Sequence, residues 1–453
     1  MHLLPAQLKA LGKSLLARVP FTWYMDAEFR RFFRWLQKTQ WLSLEELRRI
    51  QGEKLVSLMH HAYDKVPFYR EVMQEKQLKP SDFSDLNALT QLPIIDKKFV
   101  KQHAHDLLAL DWQAWKPTKA RSGGTTGNPL ELWVGRRAWN MEWAQHWRFF
   151  HWAGYHFDDL CLVVRPMPLL SAGVWYFSYR NKQLIYTGGA LSTERILDIF
   201  DKMRETKARV LLTYPSVLRV LSRFALTNGL KPSTLRTIIT ASETFLPEDR
   251  ALSQQVFRAP IYDWYGQGEH ITMAAQCEHG NYHLSMEYSI TETTTSCGEG
   301  YLIGTCLDNY AMPMIRYQTD DLVSEISSEL CRCGRGLPYL RYIKGKQGDG
   351  IVTPSGAYIS PSVLYQCVFD LPQVGGVQFI QEETDSLRVL IVPTESYTER
   401  EQRLLEQRLG AVFAGEKMFV AIQLVDAIEP TERGKHPLVV SRVQRDWKDR
   451  GGT

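Results

Sequence analysis

The stretch Arg121-Ser-Gly-Gly-Thr-Thr-Gly-Asn-Pro129 places three glycines and three hydroxyl side chains within six residues. The glycines allow backbone conformations with positive φ, which can turn successive N–H groups towards one side of a loop. The hydroxyls add donors beside those amides. The members of this glycine/threonine loop are Ser122, Gly123, Gly124, Thr125, Thr126 and Gly127. Two interpretations follow: a loop that binds a polyphosphate, or an ordinary connection rich in glycine and hydroxyl residues.

The loop differs from a Walker A motif. That motif requires a lysine followed by serine or threonine directly after its last glycine. Here Asn128 and Pro129 follow Gly127. The sequence therefore argues against a P-loop NTPase or a kinase built on that motif.

Length and composition set the class of protein. With 453 residues, the chain is expected to form more than one domain. A hydrophobic content of 44% and a charged content of 23% are typical of globular proteins. A net charge of +4 gives no reason to expect a nucleic-acid partner. Seven cysteines form an odd number and do not suggest a disulfide framework.

The sequence has no run of 18 uncharged apolar residues, so no transmembrane helix is predicted. Residues 1–20 mix leucines with Lys9, Lys13 and Arg18 and make a poor signal peptide. They predict a helix packed on its own domain or, as the weaker alternative, an amphipathic helix on a membrane or a partner. Together with the cysteine usage, this predicts a cytoplasmic protein.

Alternating strand and helix patterns begin near residue 160. We predict buried strands at 161–164, 210–213, 237–240 and 261–264, with a helix over 196–203 between the first two. In open α/β sheets, ligands bind beyond the carboxyl ends of the strands. The residues that follow the last two strands are Ser242, Glu243, Tyr265, Gly266 and Glu269. They are therefore expected to share one site.

The glycine-rich segment Gly345-Lys-Gln-Gly-Asp-Gly350 interrupts this pattern. It is followed by strand patterns at 378–380, 387–392 and 419–425, with a charged helix near 398–409. This is a compact αβ unit of about 100 residues. The predicted domains are 1–345 and 346–453.

Two acidic positions are candidates for nucleotide chemistry. Mg²⁺ prefers one or two carboxylates together with phosphate oxygens, and Glu269 can supply such a carboxylate. Tyr265 can stack on a base, and Asp320 or Asp321 can accept hydrogen bonds from ribose hydroxyls. The simpler alternatives are a solvated glutamate, a core tyrosine and two aspartates that only form a turn.

Taken in order along the chain, these segments resemble the adenylate-forming (ANL) enzymes. The similarity is greatest to the phenylacetate–CoA ligase branch, including its capsular-polysaccharide-associated (CapK-like) and coenzyme F390 synthetase-like members. It extends from His60 to Ser441, which is most of the chain. Beside the glycine/threonine loop it rests on Ala241-Ser-Glu243, Tyr265-Gly-Gln-Gly-Glu269, Met312-Pro-Met-Ile-Arg-Tyr-Gln-Thr-Asp-Asp321, Ile343-Lys-Gly-Lys-Gln-Gly-Asp349 and Gly434-Lys435.

The resemblance implies an α/β protein with a large N-terminal domain of mixed sheets and helices and a small, mobile α+β C-terminal lid. It implies that ATP and a carboxylic acid form an acyl-adenylate and pyrophosphate, after which a nucleophile accepts the acyl group. Coenzyme A is the expected acceptor. The alternatives are an amine, transfer of AMP itself, or a non-catalytic nucleotide-binding scaffold in polysaccharide assembly. A homodimer is left open.

Residue roles carry over from the matching motifs. The glycine/threonine loop would hold the β- and γ-phosphates. Glu243 and Tyr265-Gly266 would border the adenine, with Ser242 beside them. Glu269 would bind Mg²⁺, and Asp321 would hold the ribose.

Two lysines complete the implied site. Lys346 stands where the family usually has a ribose-contacting arginine. Lys435 would be the lysine of the C-terminal domain that promotes adenylation, by stabilising charge that develops at the α-phosphate. With Lys435 and Glu269 both present, we expect an active enzyme.

The chain departs from the family pattern in several places. Gly268 replaces the usual threonine before the glutamate, and Asp320 replaces the glycine before the ribose aspartate. Lys346 cannot form the two-pronged contact of an arginine. Gly348 occupies a position where a hinge aspartate is common in the family, and the neighbouring Asp349 is the alternative residue for that role.

A separate group of residues can bind metal. Cys277, His283, Cys331 and Cys333 supply three thiols and one imidazole, which suit a tetrahedral zinc site. His279 is an alternative imidazole. Some members of the resembled branch bind zinc at such cysteines. Because four protein ligands leave no open position, the predicted Zn²⁺ is structural. The alternative is a set of buried free cysteines.

Overall fold

The protein is described by a computed structural model. The described residues are 25–121, 130–165, 174–179, 181–188, 191–232, 235–294, 298–344, 350–359, 361–368, 371, 373–429 and 438–443. The predictions for residues 1–20, for the glycine/threonine loop, for Lys346 and for Lys435 concern positions outside this described part.

Several helices begin at a residue whose side chain caps them. At Ser43, the side chain accepts from the backbone N–H of Glu46 while the Glu46 carboxylate accepts from the N–H of Ser43, as predicted. The helices are α1 Ala27–Thr39, α2 Leu44–Lys65, α3 Pro67–Glu75, α4 Lys97–Gln102, α5 Arg136–Trp152, α6 Thr193–Thr206, α7 Pro215–Thr227, α8 Pro247–Phe257, α9 Pro361–Gln366 and α10 Glu399–Val412. Short 3₁₀ helices cover Pro80–Ser84, Leu86–Gln91 and Trp112–Trp115.

The strands include all those predicted from the apolar runs. Those before residue 300 are β1 Thr118–Arg121, β2 Glu131–Val134, β3 Cys161–Val164, β4 Trp175–Ser178, β5 Gln183–Tyr186, β6 Val210–Thr213, β7 Thr237–Ala241, β8 Ile261–Gly266, β9 Met273–Gln276, β10 Tyr282–Leu284 and β11 Ser289–Thr293. Those after it are β12 Gly300–Cys306, β13 Tyr317–Val323, β14 Ile326–Ser327, β15 Tyr339–Leu340, β16 Ile343–Lys344, β17 Ile351–Val352, β18 Tyr358–Ile359, β19 Val374–Gln381, β20 Ser386–Pro393, β21 Phe419–Leu424 and β22 Val439–Ser441.

A ten-stranded mixed sheet forms the centre of the N-terminal part, in the order β14-β15-β10-β9-β8-β7-β6-β3-β5-β4. Strands β5, β3, β6, β7 and β8 run parallel, so their carboxyl ends lie along one edge. Strands β9, β10, β15 and β14 continue from β8 in antiparallel pairs. The predicted edge for ligand binding is therefore present.

Both faces of the parallel region are buried. Leu211 and Ile238 pack with α6 and α7 on one face, whereas the neighbouring Leu212 and Ile239 pack with α1 and α5 on the other. Continuous apolar strands are expected when helices cover both faces of a parallel sheet. Each such fully buried side chain contributes about 1.5–3 kcal/mol relative to an exposed one. This burial fixes the register of the strand ends that form the site.

An antiparallel sheet, in the order β11-β12-β13-β16, lies beside the large sheet. Its β13 carries the segment that ends the Met312–Asp321 motif. Ile95 pairs with Tyr317 in a parallel bridge, which brings the start of α4 next to β13. The second sheet thereby supplies residues from late in the chain to the strand-end edge.

Residues after 350 have their own sheet, in the order β21-β20-β19-β22, and their own apolar core. Phe379, Val389 and Leu405 are fully buried within it. Helix α10 begins at a second capping box, formed by Thr398 and Glu401. The predicted boundary at 345–346 falls among residues outside the described part and stays a prediction. Among the described helices, none has the length and apolar character needed to cross a membrane.

Candidate active site

A cavity of about 480 Å³ opens at the carboxyl edge of the parallel strands, and we call it the strand-end cavity. It gathers the predicted residues from three places: the turn after β7, the end of β8 with the loop behind it, and β13 of the second sheet. The predicted residues that line it are Ser242, Glu243, Tyr265, Gly266, Glu269 and Asp321.

Asp321 is held by Tyr265 across the two sheets. The Tyr265 hydroxyl donates to Asp321 Oδ2 at 2.6 Å. Burial, followed by the negative charge of Asp321, holds the pKa of Tyr265 well above its usual value. The phenol therefore stays protonated and orients the carboxylate from one side. Both predicted candidates for the ribose ligand, Asp321 and Asp320, line the cavity.

Glu269 has a second tyrosine as its partner. The Tyr317 hydroxyl donates to Glu269 Oε1 at 3.4 Å, a long contact that orients the carboxylate weakly. Burial and the nearby Glu269 charge raise the pKa of Tyr317. A carboxylate that lines a cavity suits a hard divalent cation that shares its ligands with phosphate oxygens. The residues present therefore fit Mg²⁺.

The turn after β7 is unusual in its backbone. Ser242 has φ of +73°, a region that non-glycine residues occupy rarely. The neighbouring Glu243 accepts a hydrogen bond at 3.0 Å from the backbone N–H of Ser216. Ser216 lies in the first turn of α7. Glu243 thus ties the strained turn to a helix start. Strain of this kind is often found at binding sites.

Asp263 is a buried carboxyl in the cavity wall that the sequence argument missed. Thr240 donates to its Oδ1 at 2.6 Å and Tyr282 donates to its Oδ2 at 2.7 Å. Burial raises its pKa to about 6, although both hydrogen bonds act in the opposite direction. Its position within β8, in the alternation of buried residues, gives no local signal of this role.

Lys97 and Arg341 are two further cavity residues that the sequence argument missed. Lys97 opens α4, where Asp96 caps the helix by accepting from the N–H of Phe99. Arg341 lies between β15 and β16. Both reach the cavity through tertiary packing from segments with no motif of their own.

The four predicted metal ligands come together as one cluster, which we call the Cys/His cluster. The ligand atoms of Cys277, His283, Cys331 and Cys333 all lie within 4.8 Å of one another. The Sγ atoms of Cys277 and Cys331 are 3.8 Å apart. Cys333 Sγ lies 3.2 Å from His283 Nε2. His279, the alternative imidazole, is not part of the cluster in the described structure, and its backbone N–H donates to Cys277 Sγ.

The surroundings of these ligands affect the orientation of the imidazole and the pKa values of the imidazole and the Cys277 thiol. His283 Nδ1 lies 2.8 Å from the carbonyl oxygen of Leu337, so Nε2 points at the thiols. Burial lowers the pKa of His283 to about 4, which keeps the imidazole neutral. Burial also raises the pKa of Cys277 to about 12, so a thiolate there needs a cation nearby. Three sulfurs and one nitrogen in a closed group fit Zn²⁺.

Comparison with known proteins shows which proteins this chain is similar to. The model of the CapK C-terminal domain matches residues 351–442. The phenylacetate-coenzyme A ligase of Thermus thermophilus is 24% identical over 356 residues, covering 74% of this chain and 77% of the relative. That of Aromatoleum evansii is 23% identical over 435 residues, covering 90% and 97%.

The fold has solved counterparts. The crystal structure of 2-hydroxyisobutyryl-CoA ligase in the postadenylation state, in complex with R3-HIB-AMP, matches with a TM-score of 0.56 at 18% identity. The match covers 89% of this chain and 91% of that chain. An open conformation of the same ligase, in complex with 2-HIB-AMP and CoA, matches with the same TM-score of 0.56. The chain therefore has the fold of the adenylate-forming ligases, carries a CapK C-terminal domain and is similar to phenylacetate–CoA ligases. These findings confirm the predicted resemblance and the predicted class of enzyme, an AMP-forming acid ligase.

Proposed function

We propose that this protein uses ATP to convert a carboxylic acid to an acyl-adenylate with release of pyrophosphate, and then transfers the acyl group to coenzyme A. One observation supports this most directly. Tyr265 and Glu269, together with Asp321, which lies 56 positions after Tyr265, line a single cavity at the carboxyl edge of a parallel sheet. The relatives described above are named as coenzyme A ligases.

Asp321 is the proposed ribose ligand. Its Oδ2 accepts from Tyr265, which orients the carboxylate, and carboxylate oxygens are suitable acceptors for ribose hydroxyls. The strained turn at Ser242 and Glu243 and the strand end at Tyr265-Gly266 face the same cavity and would border the adenine. A larger residue at Gly266 would crowd this wall of the cavity, because a Cβ there would lie 2.9 Å from the ring of Trp264.

Glu269 is the proposed Mg²⁺ ligand. The cation would offset negative charge on the phosphate oxygens. The protein's own contribution is to place the Glu269 carboxylate in the cavity wall, with Tyr317 as a weak neutral donor on one side. Asp320 lines the same cavity and adds negative charge beside Asp321.

The remaining roles rest on the motif resemblance. The glycine/threonine loop would hold the β- and γ-phosphates, Lys346 would contact the ribose, and Lys435 would stabilise charge at the α-phosphate. We place them in two domains, 1–345 and 346–453, with Lys435 in the smaller one. Transfer to an amine, or transfer of AMP itself, are the alternatives that product analysis separates.

We also propose that the Cys/His cluster holds one structural Zn²⁺. Four protein ligands would leave no position for a substrate, and the cluster lies outside the residues that line the strand-end cavity. The proposed setting is the cytoplasm, in capsular or surface polysaccharide synthesis. A homodimer, and contact of residues 1–20 with a membrane, stay predictions.

The test is release of pyrophosphate with a panel of carboxylic acids, followed by mass spectrometry of the products with and without coenzyme A. Lys435→Ala should lower acid-dependent release by at least about 100-fold. Lys417→Ala is the matched control, because Lys417 is an exposed lysine in the same C-terminal part. If no acid supports release and Lys435→Ala changes nothing, the protein is a nucleotide-binding scaffold instead.

A further inference from the structure

Arg165 directly follows β3, at the same edge as the strand-end cavity. Its Nε and Nη2 atoms are buried, and within the described residues neither finds a hydrogen-bond acceptor. Its guanidinium carbon lies 5.2 Å from the centre of the Tyr214 ring. This cation–π contact stabilises the positive charge but provides no acceptor oxygen. Buried donors without acceptors are rare in folded proteins.

The negative groups near Arg165 do not remove this deficit. Glu243 and Asp263 attract its charge, and burial lowers its pKa, but the guanidinium remains protonated. Glu243 accepts from Ser216, and Asp263 accepts from Thr240 and Tyr282. The missing feature is therefore an acceptor oxygen beside Nε and Nη2 rather than a distant negative charge.

Other polar atoms in this region lack partners too. Trp264 lines the cavity, and its ring centre lies 4.3 Å from that of His146 on α5. The preceding residue on α5, Gln145, is 1% exposed. Among the described residues, the buried atoms here without a hydrogen-bond partner also include Gln145 Nε2 and Oε1, Ser216 Oγ and Trp264 Nε1.

The strand-end residues of this group lie along one edge of the sheet. Arg165, Tyr214, Glu243 and Trp264 mark the carboxyl ends of the adjacent parallel strands β3, β6, β7 and β8. Glu243 and Trp264 also line the strand-end cavity. If the cavity holds ATP, the side chain of the acid must lie next to it, because its carboxylate has to reach the α-phosphate. The polar region around Arg165 is the neighbouring space.

We propose that Arg165 selects acids that carry an oxygen acceptor on their side chain, a hydroxyl or a second carboxylate, in addition to the carboxylate that is adenylated. A hydrocarbon side chain, such as the ring of phenylacetate, would leave the Arg165 donors unpaired. Sites built to hydrogen-bond a polar group reject analogues that lack it for this reason. The inference rests on the proposed function and specifies its substrate class.

The experiment measures acid-dependent pyrophosphate release with matched acids. Butyrate, 4-hydroxybutyrate and succinate differ only at the far end of a four-carbon chain, and phenylacetate is paired with 4-hydroxyphenylacetate. In the unmodified protein the better oxygen-bearing acid should have a kcat/KM at least about tenfold above that of its partner. Arg165→Met should bring that ratio close to one, while the KM for ATP and the rate with the unoxygenated acid stay within about threefold.

Arg165→Lys and Arg236→Met complete the design. Arg165→Lys keeps the positive charge but loses the planar pair of donors, so it should retain only part of the preference for the oxygen-bearing acid. It also replaces Arg165→Met as the test variant if that protein does not fold. Arg236 precedes β7 at the opposite edge of the sheet, where it contacts Asp159, and its loss should leave the ratio unchanged. Melting temperatures are recorded for every variant.

Three results would overturn the inference: a preference for the unoxygenated acid in every pair, a preference that survives Arg165→Met, or an equal loss with both members of a pair. The last would mean that Arg165 binds the reacting carboxylate or supports the fold. Absence of release with every acid is a different result, because it overturns the proposed function itself.

Discussion

The strand-end cavity and the Cys/His cluster both include residues of the large sheet but differ in how their ionisable groups are satisfied. In the cavity, Asp321 and Glu269 each accept from a tyrosine hydroxyl and face open space. In the cluster, all four ligand atoms face one another within 4.8 Å. The first arrangement can exchange partners with a substrate, whereas the second is closed. One suits turnover and the other suits stability.

Glu269→Gln gives the largest expected effect and tests the cavity as an open site. The amide keeps the shape but loses the charge that a divalent cation requires. We expect kcat for pyrophosphate release to fall at least about 100-fold, which corresponds to roughly 3 kcal/mol of transition-state stabilisation. The melting temperature should change little. Glu194→Gln, at an exposed glutamate of α6, is the control and should retain full activity.

A cysteine of the cluster should show the opposite pattern. Cys331→Ser is expected to abolish binding of one equivalent of zinc and to lower the free energy of unfolding by roughly 2–3 kcal/mol. Metal analysis and thermal melting measure the two effects. Cys367→Ser is the matched control, because Cys367 is also buried but lies in the C-terminal core. Full zinc content in Cys331→Ser would contradict the assignment of this ligand.

Gln276 connects the two regions. Its Oε1 accepts from the backbone N–H of Asp263 and from Arg250, and its Nε2 donates to the carbonyl oxygen of Gly280. It thus links the cavity wall on β8 to the turn that begins at Cys277. Loss of these contacts should loosen both regions at once.

The corresponding variant is Gln276→Leu. We expect a loss of roughly 1–2 kcal/mol in stability, because several buried partners lose their hydrogen bonds. Zinc release to a chelator should become faster, and the KM for ATP should rise. Gln378→Leu, at a buried glutamine of the C-terminal sheet, should reduce stability without changing either property. Equal zinc release rates in the two variants would show that the regions are independent.

The same comparison explains what could be predicted from the sequence. The strand ends at Ser242 and Tyr265, the capping box at Ser43 and the pair Cys331 and Cys333 have local signatures: apolar runs, cap residues and ligand spacing. These signatures followed from short-range chemistry, and the structure contains each of them.

The partners of the site residues had no such signature. Tyr317 meets Glu269 across 48 positions of sequence, and Tyr265 meets Asp321 across 56. Asp263 lies within β8 and Arg165 directly follows β3, in apolar stretches of sequence where periodicity predicts only burial. Their roles depend on which strands become neighbours, and that order is decided by packing over the whole sheet.

Tyr265→Phe is the smallest expected effect and the finest test of the open site. The phenyl ring keeps the packing and the stacking surface, but Asp321 Oδ2 loses its donor. Since a single hydrogen bond to a charged group contributes about 1.5–3 kcal/mol and solvent replaces part of it in an open cavity, the KM for ATP should rise roughly fivefold. The value of kcat should stay within about twofold, because the hydroxyl orients a ribose ligand rather than the reacting atoms. Tyr282→Phe removes a comparable hydroxyl from Asp263 and is the matched comparison. A large fall in kcat with unchanged KM in Tyr265→Phe would mean that Asp321 acts in the chemical step and does not serve only to hold the ribose.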